Sequence, residues 1–324
     1  MNMTLYPLQF RPLLKRYLWG GRRLGTVLGK PLGEGADYAE SWEVVDHGAD
    51  QSVVANGPLA GTPLGQLVGG LGNEIFGRHA PQKQFPLLFK FLDCQRDLSV
   101  QVHPDDAAAA RLDSPDLGKT EAWVILDAQP GSRVYAGLEP GLDRAALARE
   151  VAAGRTEQCL NWFEPRIGDC VFIPAGTVHA LGAGLLVAEI QQASDTTYRL
   201  FDWNRLGTDG KPRPLHVDRA LDAIDYSANA VSPCRPQATD RPYVERLVAC
   251  EKFVLDRWRI NERQVFPADD RFHIVSVVSG KVGIHSPDSE VSLAAGQTVL
   301  VPASCHDVLL APNASCELLD MYLP

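Results

Sequence analysis

Two segments of this 324-residue chain share one pattern, and that pattern limits the possible folds more than any other feature of the sequence. Residues 168–179 read GDCVFIPAGTVH, and residues 296–306 read GQTVLVPASCH. Each contains a glycine, five further residues, a proline and an alanine, in that order. A glycine before a short apolar run and a proline after it predict a buried strand that ends in a sharp turn. The repeat therefore predicts two related β-barrels in one chain.

The rest of the chain has the pattern of an all-β protein. Glycine (28 residues) and proline (23 residues) interrupt short runs rich in Val, Ile, Leu and Phe, as is typical of β proteins. The predicted strands in the first part of the chain are 39–45, 87–92, 99–102, 121–126, 132–135, 170–173, 185–191 and 198–201. The predicted short helices are 104–112, 143–153 and 216–224.

One stretch has the composition of a domain boundary. Residues 227–242 contain three prolines, small polar residues and few apolar side chains. Such a composition is typical of a linker. We therefore predict a metal-binding domain at residues 1–226 and a second barrel at residues 227–324.

The charge balance excludes several classes of partner. The chain has 31 Lys and Arg against 40 Asp and Glu, a net charge of −9, so it offers no basic surface for nucleic acid or anionic lipid. The chain contains no run of about 18 apolar residues, which a membrane-spanning helix would need. Residues 1–16 lack the apolar stretch of a signal peptide. Seven cysteines without a C-x-x-C motif favour reduced thiols. We expect a cytoplasmic protein with a small-molecule substrate, and the oligomeric state stays open.

Metal-binding side chains lie at the ends of predicted strands. Because side chains alternate along a strand, Gln101 and His103 share one face, and Lys119 and Glu121 share another. His179 follows the Pro–Ala–Gly turn of the repeated motif. Two imidazoles, a carboxylate and an amide oxygen suit zinc or another borderline divalent ion, with room for water or substrate. The sequence therefore predicts an open metal site.

Several motifs resemble those of a known family. Residues 168–179 resemble the second signature motif of the cupins. The segments LSVQVHPDD (98–106), GKTEAW (118–123), AESWE (39–43) and EIQQASDTTYR (189–199) resemble type I mannose-6-phosphate isomerases. The resemblance covers essentially the whole chain, and the length is similar to that of the short bacterial form. It implies an all-β fold of two cupin (jelly-roll) barrels with a few short helices.

The resemblance also implies a function and a ligand set. The function is the zinc-dependent interconversion of mannose 6-phosphate and fructose 6-phosphate. His103, Glu121 and His179 match the zinc ligands of the family, with one zinc ion per chain. Gln101 matches the amide that joins these ligands in many members, and we also count it among the substrate-binding candidates.

Further positions match the polar residues of the family's active site. Arg199 matches the active-site arginine, and Ser99, Lys119 and Glu189 match residues that line the same pocket. Some members carry a lysine six residues after that arginine, whereas this chain has Arg205. A guanidinium binds phosphate in a bidentate manner but is a poor general base. We therefore predict a substrate-binding role for Arg205.

The roles of three of these residues stay open at this point. Glu189 lies on a predicted strand from which its carboxylate can reach the pocket, and burial would tune its pKa for base catalysis. Lys119 is the rival base, if the neighbouring cation lowers its pKa. Arg199 suits either the phosphate of the substrate or the negative charge of an enediolate.

The second barrel is expected to be a metal-free structural support. It contains His306 but no His-x-His, and residues 271–283 supply only His273. Two other functions remain open. One is an iron- or manganese-dependent bicupin oxidoreductase, although that class usually has His-x-His where this chain has Gln101 and His103. The other is a non-catalytic sugar-binding bicupin, in which the metal ligands of the first barrel would have been lost.

Overall fold

The computed structural model describes residues 5–207, 210–228 and 230–324, and antiparallel strands dominate that part of the chain. The strands of the first half are β1 (Leu8–Arg11), β2 (Leu13–Gly21), β3 (Tyr38–Val44), β4 (Asp46–His47), β5 (Asp50–Gln51), β6 (Val53–Val54), β7 (Leu87–Cys94), β8 (Val100–Val102), β9 (Glu121–Ala128), β10 (Val134–Leu138), β11 (Leu160–Phe163), β12 (Cys170–Ile173), β13 (His179–Leu181), β14 (Leu185–Gln192) and β15 (Tyr198–Phe201). The strands of the second half are β16 (Gln237–Ala238), β17 (Val244–Ala249), β18 (Val254–Ile260), β19 (Gln264–Val265), β20 (His273–Ser279), β21 (Lys281–Ser286), β22 (Ser289–Ala294), β23 (Thr298–Val301), β24 (Leu309–Pro312) and β25 (Cys316–Tyr322). The α-helices are α1 (Arg23–Thr26), α2 (Leu64–Phe76), α3 (Asp106–Ala109), α4 (Arg144–Ala152) and α5 (Val217–Ala223), with 3₁₀ turns at Gly77–His79 and Thr156–Cys159.

The strands form two pairs of larger sheets. In the first half, a six-stranded sheet of order β12-β9-β14-β7-β3-β2 accompanies a five-stranded sheet of order β11-β10-β13-β8-β15. In the second half, an eight-stranded sheet of order β16-β17-β18-β25-β20-β23-β1-β6 accompanies a four-stranded sheet of order β19-β24-β21-β22. The predicted mostly-β fold is confirmed.

The repeated motif forms equivalent strands in the two halves. β12 and β23 each follow a glycine with positive φ, 87° at Gly168 and 83° at Gly296, a conformation that glycine adopts without steric cost. A proline follows each strand at residues 174 and 302 and ends it. β23 is fully buried, as the pattern predicted, whereas β12 lies at the edge of its sheet and is buried except at Phe172.

The predicted helices exist, but all three are shorter than expected, by one residue at each end in two cases. Predicted helix 104–112 is reduced to α3, and predicted helix 216–224 to α5. Predicted helix 143–153 is α4, and the carboxylate of Asp143 accepts a hydrogen bond from Ala146 N at 2.7 Å, which stabilises the first turn.

The sequence analysis missed α2, the longest helix in the described residues. Four of its thirteen residues are glycine, and glycine weakens a helix by about 1 kcal/mol relative to alanine. Its buried residues Leu64, Leu67, Val68 and Ile75 pack into the main hydrophobic core. Tertiary packing therefore outweighs a poor local propensity here.

The two halves share this core and one sheet. Phe89 and Ala188 of the six-stranded sheet lie in the same hydrophobic cluster as Ile274 and Met321 of the eight-stranded sheet. β1, from the start of the chain, pairs with β23 of the second half. The division into residues 1–226 and 227–324 stays a prediction. A single hydrophobic cluster contains residues from both units. Asn229 of the predicted linker lies outside the described residues.

Strand alternation determines where the polar groups of the first half lie. In β14, Leu186, Ala188 and Ile190 enter the shared core, whereas Val187 belongs to a different cluster on the opposite face. Glu189 follows Val187 by two residues and therefore shares that opposite face. The six-stranded sheet thus separates an apolar face from a face that carries buried charges.

Among the described residues, the helices are too short or too polar to cross a membrane.

Candidate metal centre and its cavity

Strands of the five-stranded and the six-stranded sheet bring the predicted metal ligands together. His103 follows β8 directly, Glu121 begins β9 and His179 begins β13. One ligand atom from each of these residues lies within 4.8 Å of the others. His179 Nε2 is 3.3 Å from Glu121 Oε1, and His103 Nε2 is 3.6 Å from Glu121 Oε2. All three residues are only 1 % exposed, so the group is enclosed by protein.

Backbone carbonyl groups orient both imidazoles. His103 Nδ1 is 2.9 Å from Thr196 O, and His179 Nδ1 is 2.9 Å from Thr177 O. A carbonyl oxygen only accepts, so each Nδ1 carries the proton and each Nε2 presents its lone pair towards Glu121. Such an arrangement is typical of histidines that bind a metal.

The protonation states also suit a cation. Burial and the nearby Lys119 ammonium hold the pKa of His103 well below its usual value, and burial lowers the pKa of His179 to about 4. Both rings are therefore neutral at pH 7. Burial and the neighbouring Glu189 raise the pKa of Glu121 to about 7, and a bound divalent cation would favour its ionised form. The donor set of two imidazoles and a carboxylate fits zinc.

Two further predicted residues lie beside this group. Lys119 Nζ donates a hydrogen bond to Glu121 Oε2 at 2.8 Å and lies 3.1 Å from His103 Nε2. Gln101 is paired with His179 in the strand register, and its amide nitrogen is 3.3 Å from His179 Nε2. Both side chains can therefore contact a metal ion or a substrate bound by the three predicted metal-binding residues.

Glu189 lies on the same face of the six-stranded sheet, within a network of cations. Its Oε2 accepts a hydrogen bond from Trp123 Nε1 at 3.0 Å, and its Oε1 is 3.2 Å from Lys90 Nζ and 3.9 Å from Lys119 Nζ. Burial alone would raise the pKa of Glu189, but Lys90 and Lys119 outweigh burial and lower it. Glu189 is therefore an ionised carboxylate in an enclosed site, and its Oε1 faces the Lys90 ammonium.

Glu121, His179 and Glu189 line a cavity of about 280 Å³, which Arg199 and Arg213 also line. Arg199 lies on β15, and its Nε donates to Ser99 Oγ at 3.2 Å while its NH1 donates to Pro214 O at 3.0 Å. Burial and the nearby Arg213 lower the pKa of Arg199. Two guanidinium groups close together favour an anion between them.

The structure places most, but not all, of the predicted site residues around this cavity. His103 is absent from the described lining, although its Nε2 lies 3.6 Å from Glu121 Oε2, and Arg205 is absent as well. Its guanidinium instead donates to the backbone oxygen of Asp97 and to Asp202 Oδ1 at 2.5 Å. Arg213, which the sequence analysis left unassigned, does line the cavity, and it binds the same Asp202 carboxylate at 2.6 Å.

Other members of the site were also missed. Lys90 and Glu40 line the cavity and lie 3.5 Å apart. The one available signal was the charge of Lys90 within the otherwise apolar run of β7 (LLFKFLDC). A charged residue that is fully buried requires a partner, so this run could have pointed to the site.

The chain is similar to known proteins over nearly its whole length. Residues 7–123 match the family model "Phosphomannose isomerase type I, catalytic domain", and residues 243–320 match "Mannose-6-phosphate isomerase, cupin domain". The chain is 32 % identical to the mannose-6-phosphate isomerase ManA of Bacillus subtilis, over 97 % of this chain and 98 % of that protein. It is also 32 % identical to the mannose-6-phosphate isomerase of Streptococcus mutans, over 91 % of this chain and 92 % of that protein.

The fold is similar to that of solved structures. The crystal structure of the mannose 6-phosphate isomerase from Bacillus subtilis superposes with a TM-score of 0.91 at 31 % identity. The match covers 98 % of this chain and 100 % of the solved chain. The similarity of the fold therefore extends over both halves of the chain.

Proposed function

Because the chain belongs to the type I phosphomannose isomerase family, we propose that it interconverts D-mannose 6-phosphate and D-fructose 6-phosphate through an enediolate. The observation that carries this proposal is the buried group of His103, Glu121 and His179 beside a cavity that Arg199 and Arg213 also line. We assign one zinc ion per chain to these three ligands, with Gln101 completing or orienting the set. When bound, the zinc ion supplies Lewis acidity that stabilises the oxygens of the enediolate.

Electrostatics favour an anionic substrate in this cavity. The described lining contains four positively charged residues, Lys90, Lys119, Arg199 and Arg213. It also contains four carboxylate residues, Glu40, Glu121, Glu189 and Asp195. These charges balance, so a bound divalent cation makes the cavity net positive. A net positive, enclosed site attracts a sugar phosphate dianion.

Arg199 and Arg213 are proposed to bind the phosphate group. Arg199 Nε donates a hydrogen bond to Ser99 Oγ. The Arg213 guanidinium donates two hydrogen bonds to the Asp202 carboxylate. Arg205 contacts Asp202 as well, so we assign it the task of positioning Asp202, and hence Arg213, rather than a direct phosphate contact. A fixed guanidinium loses little entropy when it binds a phosphate.

Proton transfer is assigned to Glu189 and Lys119. The Glu189 carboxylate removes the proton from C2 of the open-chain aldose and returns it to C1, which converts the aldose to the ketose. The Lys119 ammonium donates a proton to O1 and recovers one from O2, so that protons balance over the cycle. Glu189 is suited to the first task because it is ionised, buried and part of the cavity lining.

We also propose that the enzyme acts in the cytoplasm, because phosphorylated hexoses are retained inside cells by their charge.

The experiment that tests this function is a coupled assay of fructose 6-phosphate formation from mannose 6-phosphate. The protein is assayed as purified, after chelation and after the return of zinc, and its metal content is measured in each state. We expect activity and about one bound zinc ion per chain to be lost and regained together. Full activity in metal-free protein would refute the zinc assignment. If the metal-bound protein shows no turnover, its substrate is another sugar or the protein is an oxidoreductase.

A further inference from the structure

The loop between β14 and β15 supplies the group that orients one predicted metal ligand. We call residues 193–197 the orienting loop, because the carbonyl oxygen of Thr196 accepts a hydrogen bond from His103 Nδ1 at 2.9 Å. Asp195 and Thr197, on either side of Thr196, line the metal-centre cavity. The position of this loop therefore sets the direction of the His103 ring and forms part of the cavity wall.

The Asp116 carboxylate binds the orienting loop at two points. Asp116 Oδ2 accepts a hydrogen bond from Thr196 Oγ1 at 2.7 Å and another from Ser194 Oγ at 2.9 Å. Asp116 itself lies outside the described lining of the metal-centre cavity. One carboxylate oxygen thus restrains the loop from outside the cavity, and one of its two donors belongs to the residue that contacts His103.

The carboxylate is held in place by further donors. Asp116 Oδ1 accepts a hydrogen bond from Leu117 N at 2.8 Å and lies 3.2 Å from His47 Nε2. Burial alone would raise the pKa of Asp116, but the hydrogen bonds from His47, Thr196 and Ser194 outweigh burial and hold it well below its usual value. Asp116 is therefore ionised at pH 7, and a charged acceptor forms stronger hydrogen bonds than a neutral one.

A second side chain restrains the loop from the sheet. Gln191 of β14 is fully buried, and its Nε2 donates to Ser194 O at 2.6 Å and to Gln192 O at 2.8 Å. Gln191 also pairs with Glu121 in the strand register. The Gln191 amide reaches residues 192 and 194, whereas Asp116 also binds Thr196. The loop is therefore tied to the neighbourhood of one metal ligand by Gln191 and is aligned with the other by Asp116.

We propose that Asp116 is a positioning residue for the metal centre: its carboxylate fixes the orienting loop, and Thr196 O then holds the His103 ring with Nε2 directed towards Glu121. This inference rests on the proposed zinc site and extends it to a residue outside the cavity. Loss of a residue that supports a ligand in this way typically weakens metal binding by about 10–100-fold.

Zinc affinity, measured by competition with a chelator of known affinity, tests the proposal. Asp116→Ala removes the carboxylate, and we expect the Kd for zinc to rise about 10–100-fold. Because Asp116→Ala leaves two hydroxyls without their acceptor, Thr196→Val serves as a milder variant. It removes one hydroxyl from a side chain of the same shape and retains the Thr196 carbonyl. We expect the Kd to rise about tenfold in Thr196→Val and to stay at the wild-type value in Thr196→Ser, which keeps the hydroxyl.

Thr298→Val is the matched control in the second half. Thr298 Oγ1 donates to Ser276 Oγ at 3.0 Å in a buried position, so the same substitution removes a buried hydroxyl bond outside the metal centre. We expect lower thermal stability and unchanged zinc affinity. If Thr298→Val weakens zinc binding as much as Thr196→Val does, the effect is a general loss of stability and the proposal is wrong. Wild-type affinity in both Asp116→Ala and Thr196→Val would also overturn it.

A second readout requires no metal. The His103 Nδ1–H signal is followed by NMR in ¹⁵N-labelled, metal-free protein and is assigned with the His103→Gln variant. Because the hydrogen bond to Thr196 O protects this proton, we expect slow exchange with solvent in the wild type and in Thr196→Ser. Exchange should be faster in Asp116→Ala and Thr196→Val.

The two readouts separate this inference from the proposed function. Equal exchange of the His103 proton in the wild type and the three variants would refute the link from Asp116 to His103. If the wild-type proton is protected and the protection depends on Asp116, but the wild type binds no zinc, the proposed function fails while the positioning of His103 by Asp116 stands.

Discussion

The two halves of the molecule place buried ionisable groups at equivalent strand positions, yet the histidines of the two halves occupy different positions and differ in protonation state. In the first half, His103 and His179 are neutral because burial and the nearby Lys119 ammonium lower the pKa of both rings. In the second half, His273 is charged because carboxylates face both of its nitrogens. The same fold therefore supports a metal-binding site or a closed ion network, and the neighbouring charges decide which one forms.

The largest expected effect comes from the two copies of the repeated motif. His179→Ala removes a predicted ligand, whereas His306→Ala changes the corresponding end of the second copy, where the side chain is exposed. We expect His179→Ala to lose zinc and more than about 100-fold in kcat, a larger effect than the 10–100-fold typical of residues that only support a ligand. The measurement is kcat together with zinc content.

The matched control, His306→Ala, should retain both zinc and activity. Equal losses in the two variants would show that the repeated motif has a structural role at both positions.

The second comparison uses the equivalent carboxylates Glu189 and Asp320. Glu189→Gln keeps the shape of the side chain but removes the proposed base, so we expect kcat to fall about 10²–10⁴-fold. The exchange of the C2 proton with solvent deuterium should fall in parallel, and zinc content should be unchanged. Asp320→Asn should retain kcat, because Asp320 lies outside the described lining of the metal-centre cavity. Retained proton exchange in Glu189→Gln would transfer the role of base to Lys119.

The third prediction concerns the pH dependence of stability. Burial alone would lower the pKa of His273, but Asp320 and Asp269 outweigh burial and raise it to about 9. A raised pKa stabilises the folded state fully below the unfolded pKa of about 6.5, and that stabilisation is lost as the pH rises through 9. We expect the free energy of unfolding to fall by at most about 3 kcal/mol between these values.

Urea unfolding at a series of pH values measures this decrease, with His273→Ala as the variant that lacks the titrating group. The slope between pH 6.5 and 9 should be shallower in the variant. If the two slopes are equal, the imidazolium in the second half does not contribute to stability.

The sequence predicted those features whose signal is local. β12 and β15 were predicted at their observed bounds, because turn-forming or polar residues delimit short apolar runs. His103, Glu121 and His179 were recognised by motif, and the structure brings all three together. The network around Lys90 and the pairing of His273 with Asp320 were missed. Residues 273 and 320 are 47 positions apart in the chain, so strand register, which sequence spacing does not reveal, creates their contact.

The smallest expected effect separates the two arginines of the proposed phosphate region. Arg199→Lys removes the planar guanidinium group from the cavity lining. We expect kcat/KM for mannose 6-phosphate to fall about tenfold or more, mainly because KM rises. Arg205→Lys should have a smaller effect, because Arg205 acts on Asp202 and not on the cavity itself. Steady-state kinetics of both variants measure the difference. A larger loss for Arg205→Lys would restore the direct phosphate contact that the sequence predicted for it, and it would require Arg205 to leave Asp202 when substrate binds.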